Sequence, residues 1–152
     1  MGRFFLASML LFVMNANAEL LMHDAQVRAM PPGQPNTAAF MVLQNTGTQA
    51  ITLVSASTSM AKDAQYHTHI KKASGVMSMQ QVSNIVIPAG ASFVFESGAH
   101  HIMLLGLKQP LIPGDQVDLQ LKDEQGKLYT YDVPVKSMMG NGHMHHHHHG
   151  KE

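Results

Sequence analysis

The run Thr37-Ala38-Ala39-Phe40-Met41-Val42-Leu43, TAAFMVL, decides the fold. It is short, apolar after its opening threonine, and closed by the turn residues Asn45-Thr46-Gly47, the pattern of a buried β-strand. Ahead of it, residues 26–30 are short and extended until Pro31-Pro32-Gly33 breaks them. Behind it, residues 50–56 alternate Ile51 and Leu53 with polar neighbours. Residues 66–70 and 76–82 are joined by Lys71-Lys72-Ala73-Ser74-Gly75, and Pro88-Ala89-Gly90 turns into residues 92–95. Residues 101–107 are apolar and end towards Pro110. Pro113-Gly114-Asp115 opens the cleanly alternating 117–121, and a polar turn at 123–126 leads into 128–135. About nine or ten short strands with turn signals at these intervals predict an all-β sandwich or barrel, and no stretch reads as a helix.

With 152 residues the chain has room for one domain. Residues 1–18 read as a signal peptide: Arg3 supplies the positive start, Phe4 to Met14 is an apolar run, and Ala16-Asn17-Ala18 is a small-x-small cleavage site. The competing reading is an N-terminal membrane anchor, but an apolar run of eleven residues is too short to span a bilayer. The expected mature chain starts at Glu19, in the periplasm, with no membrane attachment once the signal is cleaved.

Ten acidic and ten Lys and Arg residues balance, so no basic face invites nucleic acid. The unusual numbers are thirteen Met and eleven His against no Cys. Thioether and imidazole both ligate soft or borderline metals without a strong base to deprotonate them. In an oxidising compartment a thiol would form disulfides or be oxidised by copper, so thioethers suit an exported protein that holds reduced copper.

Three pairs of soft ligands sit at i, i+2 spacing within predicted strands: His67 and His69, Met77 and Met79, His101 and Met103. Side chains at i and i+2 share one face of a strand, so each pair offers two ligands on one side. Sulfur and imidazole without carboxylate or thiolate favour Cu(I), disfavour Mg and Ca, and suit zinc poorly. A Met inside a strand is more often core filler than ligand, and Met41 is read that way. Met103 would be read so too, but for His101 two residues before it. His23 is read as a surface residue.

The chain from Arg28 to Val135 resembles the periplasmic copper chaperone family PCuAC. The residues that carry the resemblance are VRAMPPG (27–33), TAAFMVLQNTG (37–47), YHTH (66–69), GVMSM (75–79), IPAG (87–90) and HHIMLLGLKQPLIPGD (100–115). The family is marked by a His, a downstream Met and a later His-x-Met. Here His67 matches the first, Met79 the second and His101-Ile102-Met103 the third, with twenty-one residues between Met79 and His101. The resemblance implies a cupredoxin-like Greek-key β-sandwich or barrel over residues 19–136. It also implies Cu(I) bound by His67, Met79, His101 and Met103, and delivery to a copper-accepting protein such as the CuA subunit of a respiratory oxidase or another copper chaperone. This chain departs from the pattern at Thr68, where some members have Met, and at His100, often aromatic in relatives. His69 and Met77 are further candidates beside the matched set.

After Lys136 the strand pattern stops, and residues 137–152 read SMMGNGHMHHHHHGKE. They are expected to form a disordered, flexible metal-binding tail. A purification tag is the alternative, but a Met interrupts the His run and an intact signal precedes the domain. His143, His145, His146, His147, His148 and His149 suit Cu(II), and Met138, Met139 and Met144 add thioethers.

A blue-copper electron carrier needs a Cys thiolate, and there is none. No catalytic triad, carboxylate pair or second dense His cluster suggests an enzyme. A monomeric copper carrier is the expectation, and a periplasmic copper or zinc buffer serving metal tolerance is the alternative that shares its residues.

Overall fold

The computed structural model describes residues 19–137. The signal peptide at residues 1–18 and the tail residues from Met138 onward, including Met144 and the histidines at 143 and 145–149, lie outside the described residues.

The described residues are strand and turn throughout. The strands are β1 (Leu20–Arg28), β2 (Asn36–Asn45), β3 (Ile51–Ser57), β4 (Ala61–Lys71), β5 (Met77–Gln81), β6 (Ile85–Ile87), β7 (Ser92–Phe95), β8 (His101–Leu107), β9 (Gln116–Asp123) and β10 (Leu128–Lys136). They form one sheet in the order β5-β4-β8-β2-β1-β10-β9-β3-β6. A further pairing of β3 with β4, Ala56 opposite Ala64, joins the sheet to itself. Seven strands, β4-β8-β2-β1-β10-β9-β3, therefore close a barrel, and β5 and β6 extend from it. Closure removes the edges that an open seven-stranded sheet would expose. All pairings are antiparallel except that of β1 with β10.

Period-two alternation fills the interior. Ala39, Met41 and Leu43 of β2, Ile102 and Leu104 of β8, Leu119 and Leu121 of β9 and Val133 and Val135 of β10 are all buried. Met41 is 2% exposed, a core residue as its apolar strand implied. β2 departs from alternation in its first half, where Thr37, Ala38, Ala39, Phe40 and Met41 are all buried. This is why TAAFM carries no polar outward positions: both faces of that segment are covered.

The cover on the outer side has a topological cause. β8 pairs with β2 from Asn36 to Ala39, and β7 pairs with it from Met41 to Gln44. β7 and β8 thus run as one strand along the same edge, interrupted opposite Phe40. Residues 96–100 leave the sheet there, folded by the bonds from Glu96 N–H to the His100 carbonyl (2.8 Å) and from Ala99 N–H to the Glu96 carbonyl (3.2 Å). Gly98 has φ +84, a conformation that an L side chain seldom adopts.

Several elements differ from the sequence pattern, among them β4, which starts at Ala61 and not at residue 66. β1 starts at Leu20 rather than residue 26, because a bulge between His23 and Gln26, with Asp24 at φ 50, breaks the alternation that would have marked it. β6 is a three-residue strand paired with β3, too short to carry a period of its own.

Candidate metal centre

β4 and β8 are neighbours, with His67 opposite His101 and Gln65 opposite Met103. β5 lies on the other side of β4, with Met79 directly opposite His69 and Met77 opposite Lys71. The three i, i+2 pairs therefore lie on one outer face, and the 96–100 excursion covers its His69 and His101 end. His101 is only 3% exposed. Its ring centroid lies 5.2 Å from that of His69, 5.9 Å from His67 and 6.5 Å from Phe40.

The protons on these rings follow from their partners. Nδ1 of His101 is 3.1 Å and Nδ1 of His69 is 3.3 Å from the Ala99 carbonyl oxygen. A carbonyl only accepts, so both rings donate from Nδ1 and keep an unprotonated Nε2, as metal-ligating imidazoles commonly do. For His67 the roles reverse. The Gln65 amide N–H₂ donates to the Asp63 carboxylate at 2.6 Å, which turns its oxygen towards His67 Nε2 at 3.0 Å. His67 then donates from Nε2, and its basic nitrogen is Nδ1, which is enclosed and has no hydrogen-bond partner. A lone pair withdrawn from water without replacement is uncompensated until something bonds it.

Burial lowers the His67 imidazole below its ordinary value of 6.5. His101 is also lowered, chiefly by burial; its bond to Ala99 opposes this, and the positive charges of His69, His67 and Arg28 add to it. Both rings are neutral at pH 7 and present lone pairs without proton competition.

A cavity of about 360 Å³ opens at this place, and His69, Met79, His101 and Met103 are on its wall. His67 stands beside it rather than on it. Met77 is at the hairpin end of β5, off the wall and 54% exposed, while Met79 is 53% exposed. Among the described residues no three His or carboxylate groups converge closely enough to hold a metal ion by themselves. The thioethers of Met79 and Met103 are the further soft donors on the cavity wall.

Met30, Arg28 and Phe40 also line the cavity, and sequence reasoning did not single them out. Met30 precedes Pro31-Pro32 in an irregular segment tied to Leu111, so no periodicity marks it. Phe40 reads as part of an apolar strand, and nothing in the sequence distinguishes Arg28 from other surface cations. His23, read as a surface residue, is exposed and lies 3.2 Å from the Gln44 side-chain oxygen.

The LpqE-like family model matches residues 20–135. The protein Lxx21020 of Leifsonia xyli subsp. xyli, whose name designates it a lipoprotein, is 38% identical over 109 residues, which cover 71% of this chain and 65% of that protein's length. This chain thus spans just under two thirds of the curated relative it matches. Among solved structures, CuI-DR1885 from Deinococcus radiodurans is 33% identical with a TM-score of 0.64, over 83% of this chain and 85% of that one. The apo PCuAC domain from PmoF1 superposes with a TM-score of 0.65 at 19% identity, over 78% of this chain and 93% of that one, a likeness of fold. The resemblance carried by the His, Met and His-x-Met residues agrees with both results. The chain belongs to the LpqE-like family and has the PCuAC fold.

Proposed function

We propose that this protein is an exported copper carrier that holds one Cu(I) on the outer face of the barrel. Met79, His101 and Met103 supply two thioethers and a neutral imidazole, and His67 supplies the fourth ligand. The observation that carries this reading is the placement of two thioethers on one cavity wall with imidazoles kept neutral by burial, where no three His or carboxylate groups cluster among the described residues. The unpartnered Nδ1 supports His67, and the position of His69 on the cavity wall makes it the nearest substitute. Relatives whose names record Cu(I) or PCuAC support the choice of metal.

Neutral ligands hold a monovalent ion without cancelling its charge, and half-exposed Met79 gives an acceptor access to it. Both suit a protein that hands copper on, and we place delivery to the CuA centre of a respiratory oxidase, or to another copper chaperone, as its purpose. The tail histidines collect Cu(II) in this scheme. Delivery is tested by mixing the Cu(I)-loaded chain with a metal-free CuA domain and following the absorption of that centre. Transfer faster than from free chelated copper is the expected result. A protein that keeps its Cu(I) under these conditions is a buffer rather than a carrier.

A further inference from the structure

Arg28 carries a positive charge that does not titrate in the working pH range. Arg28 ends β1 and reaches over the Phe40 ring, its guanidinium carbon 5.5 Å from the centroid, and Phe40 in turn faces His101. The residue lines the same cavity as Met79, His101 and Met103, its Nε is enclosed without an acceptor, and among the described residues no carboxylate pairs with it. A charge partly withdrawn from water without a counter-ion is costly to keep. Stacking on Phe40 offsets part of that cost and also fixes the charge in place.

We propose that Arg28 is a charge filter of the metal centre: its fixed positive charge, held over Phe40 beside the donors, selects monovalent against divalent ions. This rests on the copper-carrier reading of the site. The reasoning is Coulombic. Repulsion between Arg28 and a bound ion is proportional to the ion's charge, so a divalent ion is disfavoured by twice the free energy that a monovalent one is. Thioethers already prefer Cu(I), but imidazoles are good Cu(II) ligands, and donor chemistry alone leaves the divalent state some hold. Arg28 adds a discrimination that depends only on charge. It also loosens the monovalent ion, which favours release.

The test compares the full chain with Arg28→Gln, which removes the charge, and Arg28→Lys, which keeps it. Ag(I) serves as a redox-inert monovalent probe and Cu(II) as the divalent one. Occupancy is read at the Met103 methyl resonance, as a shift for Ag(I) and as paramagnetic broadening for Cu(II), so that the reading is local to the centre. Histidines elsewhere compete for Cu(II) equally in all three proteins and drop out of the comparison. Arg28→Gln should tighten Ag(I) by about fivefold and Cu(II) by about the square of that factor, as charge-proportional repulsion requires. Arg28→Lys should stay near the parent for both ions. An equal change for both ions, or no change, with Met103 still responding, overturns the filter and leaves the metal centre standing. A Met103 methyl indifferent to Ag(I) in the parent chain would instead remove the centre itself, and the filter with it. Should Arg28→Gln fold poorly, a shift in the Cu(II)-to-Ag(I) ratio of Arg28→Lys as large as a lost charge would produce also refutes the proposal.

Discussion

Met79 and Met103 differ in what surrounds them: the first is half exposed on an outlying strand, the second partly covered between β2 and β4. Leucine matches methionine in volume and apolarity, so each replacement should cost less than about 1.5 kcal/mol of stability. The same change should abolish tight Cu(I) binding in the domain, measured by competition with a chromophoric Cu(I) chelator. Unaltered affinity would place the site elsewhere. The neutral imidazoles set the pH dependence. His67 and His101 have folded-state values below 6.5, so the unfolded chain takes up protons first as pH falls. Stability from this source is full above about pH 6.5 and is lost as pH drops through the lowered folded values. Metal binding follows the same direction, because protons compete for the ligand nitrogens only below that range. Thermal melts and Cu(I) affinities between pH 5 and 8 should both be flat above neutrality. A steep fall in affinity between pH 7 and 9 would contradict a ligand set without thiolate.

The break between β7 and β8 is the element that walls a cavity onto a strand face. Residues 96–100 bring the Ala99 carbonyl over His69 and His101 and fix both rings with their Nε2 atoms unprotonated. Gly98 allows this excursion through its positive φ, and no neighbouring atom lies within 4 Å of where a Cβ would stand. Gly98→Ala should therefore act by backbone strain alone and cost about 1–2 kcal/mol. It should also weaken Cu(I) binding, since the Ala99 carbonyl shifts with the turn. A variant destabilised to this degree with unchanged affinity would show that the carbonyl does not orient the rings. The strands β7 and β8 were legible in sequence to the residue, since Pro88-Ala89-Gly90 and the apolar 101–107 bound them. Their merger into one interrupted edge was not legible, because pairing to β2 is a long-range fact with no local trace. The same limit explains Arg28 and Phe40: each reads as an ordinary strand residue until β1, β2 and β8 are set side by side.

At the scale of the molecule the barrel is a scaffold whose interior is separable from the outer face proposed to hold metal. Leu119 of β9 is fully buried and β9 is not adjacent to β4, β5 or β8. Leu119→Ala should cost about 2–5 kcal/mol in chemical denaturation while leaving Cu(I) affinity intact. Affinity that fell in proportion to stability would mean that the site is not pre-formed. Residues from 138 onward add a second prediction. A chain ending at Lys136 should keep its Cu(I) equivalent and lose a Cu(II) equivalent, counted by titration. Equal Cu(II) stoichiometry with and without those residues would leave the histidine run without a role in binding copper.

The convergence of sulfur and imidazole on one ion is tested most directly by copper K-edge X-ray absorption on the chain loaded with one equivalent of Cu(I). The expected spectrum has both sulfur and nitrogen scatterers in the first shell, and the sulfur shell disappears in the Met79→Leu, Met103→Leu variant. A first shell of nitrogen alone, or a sulfur shell that survives both substitutions, would contradict a centre built on the outer face of β4, β5 and β8.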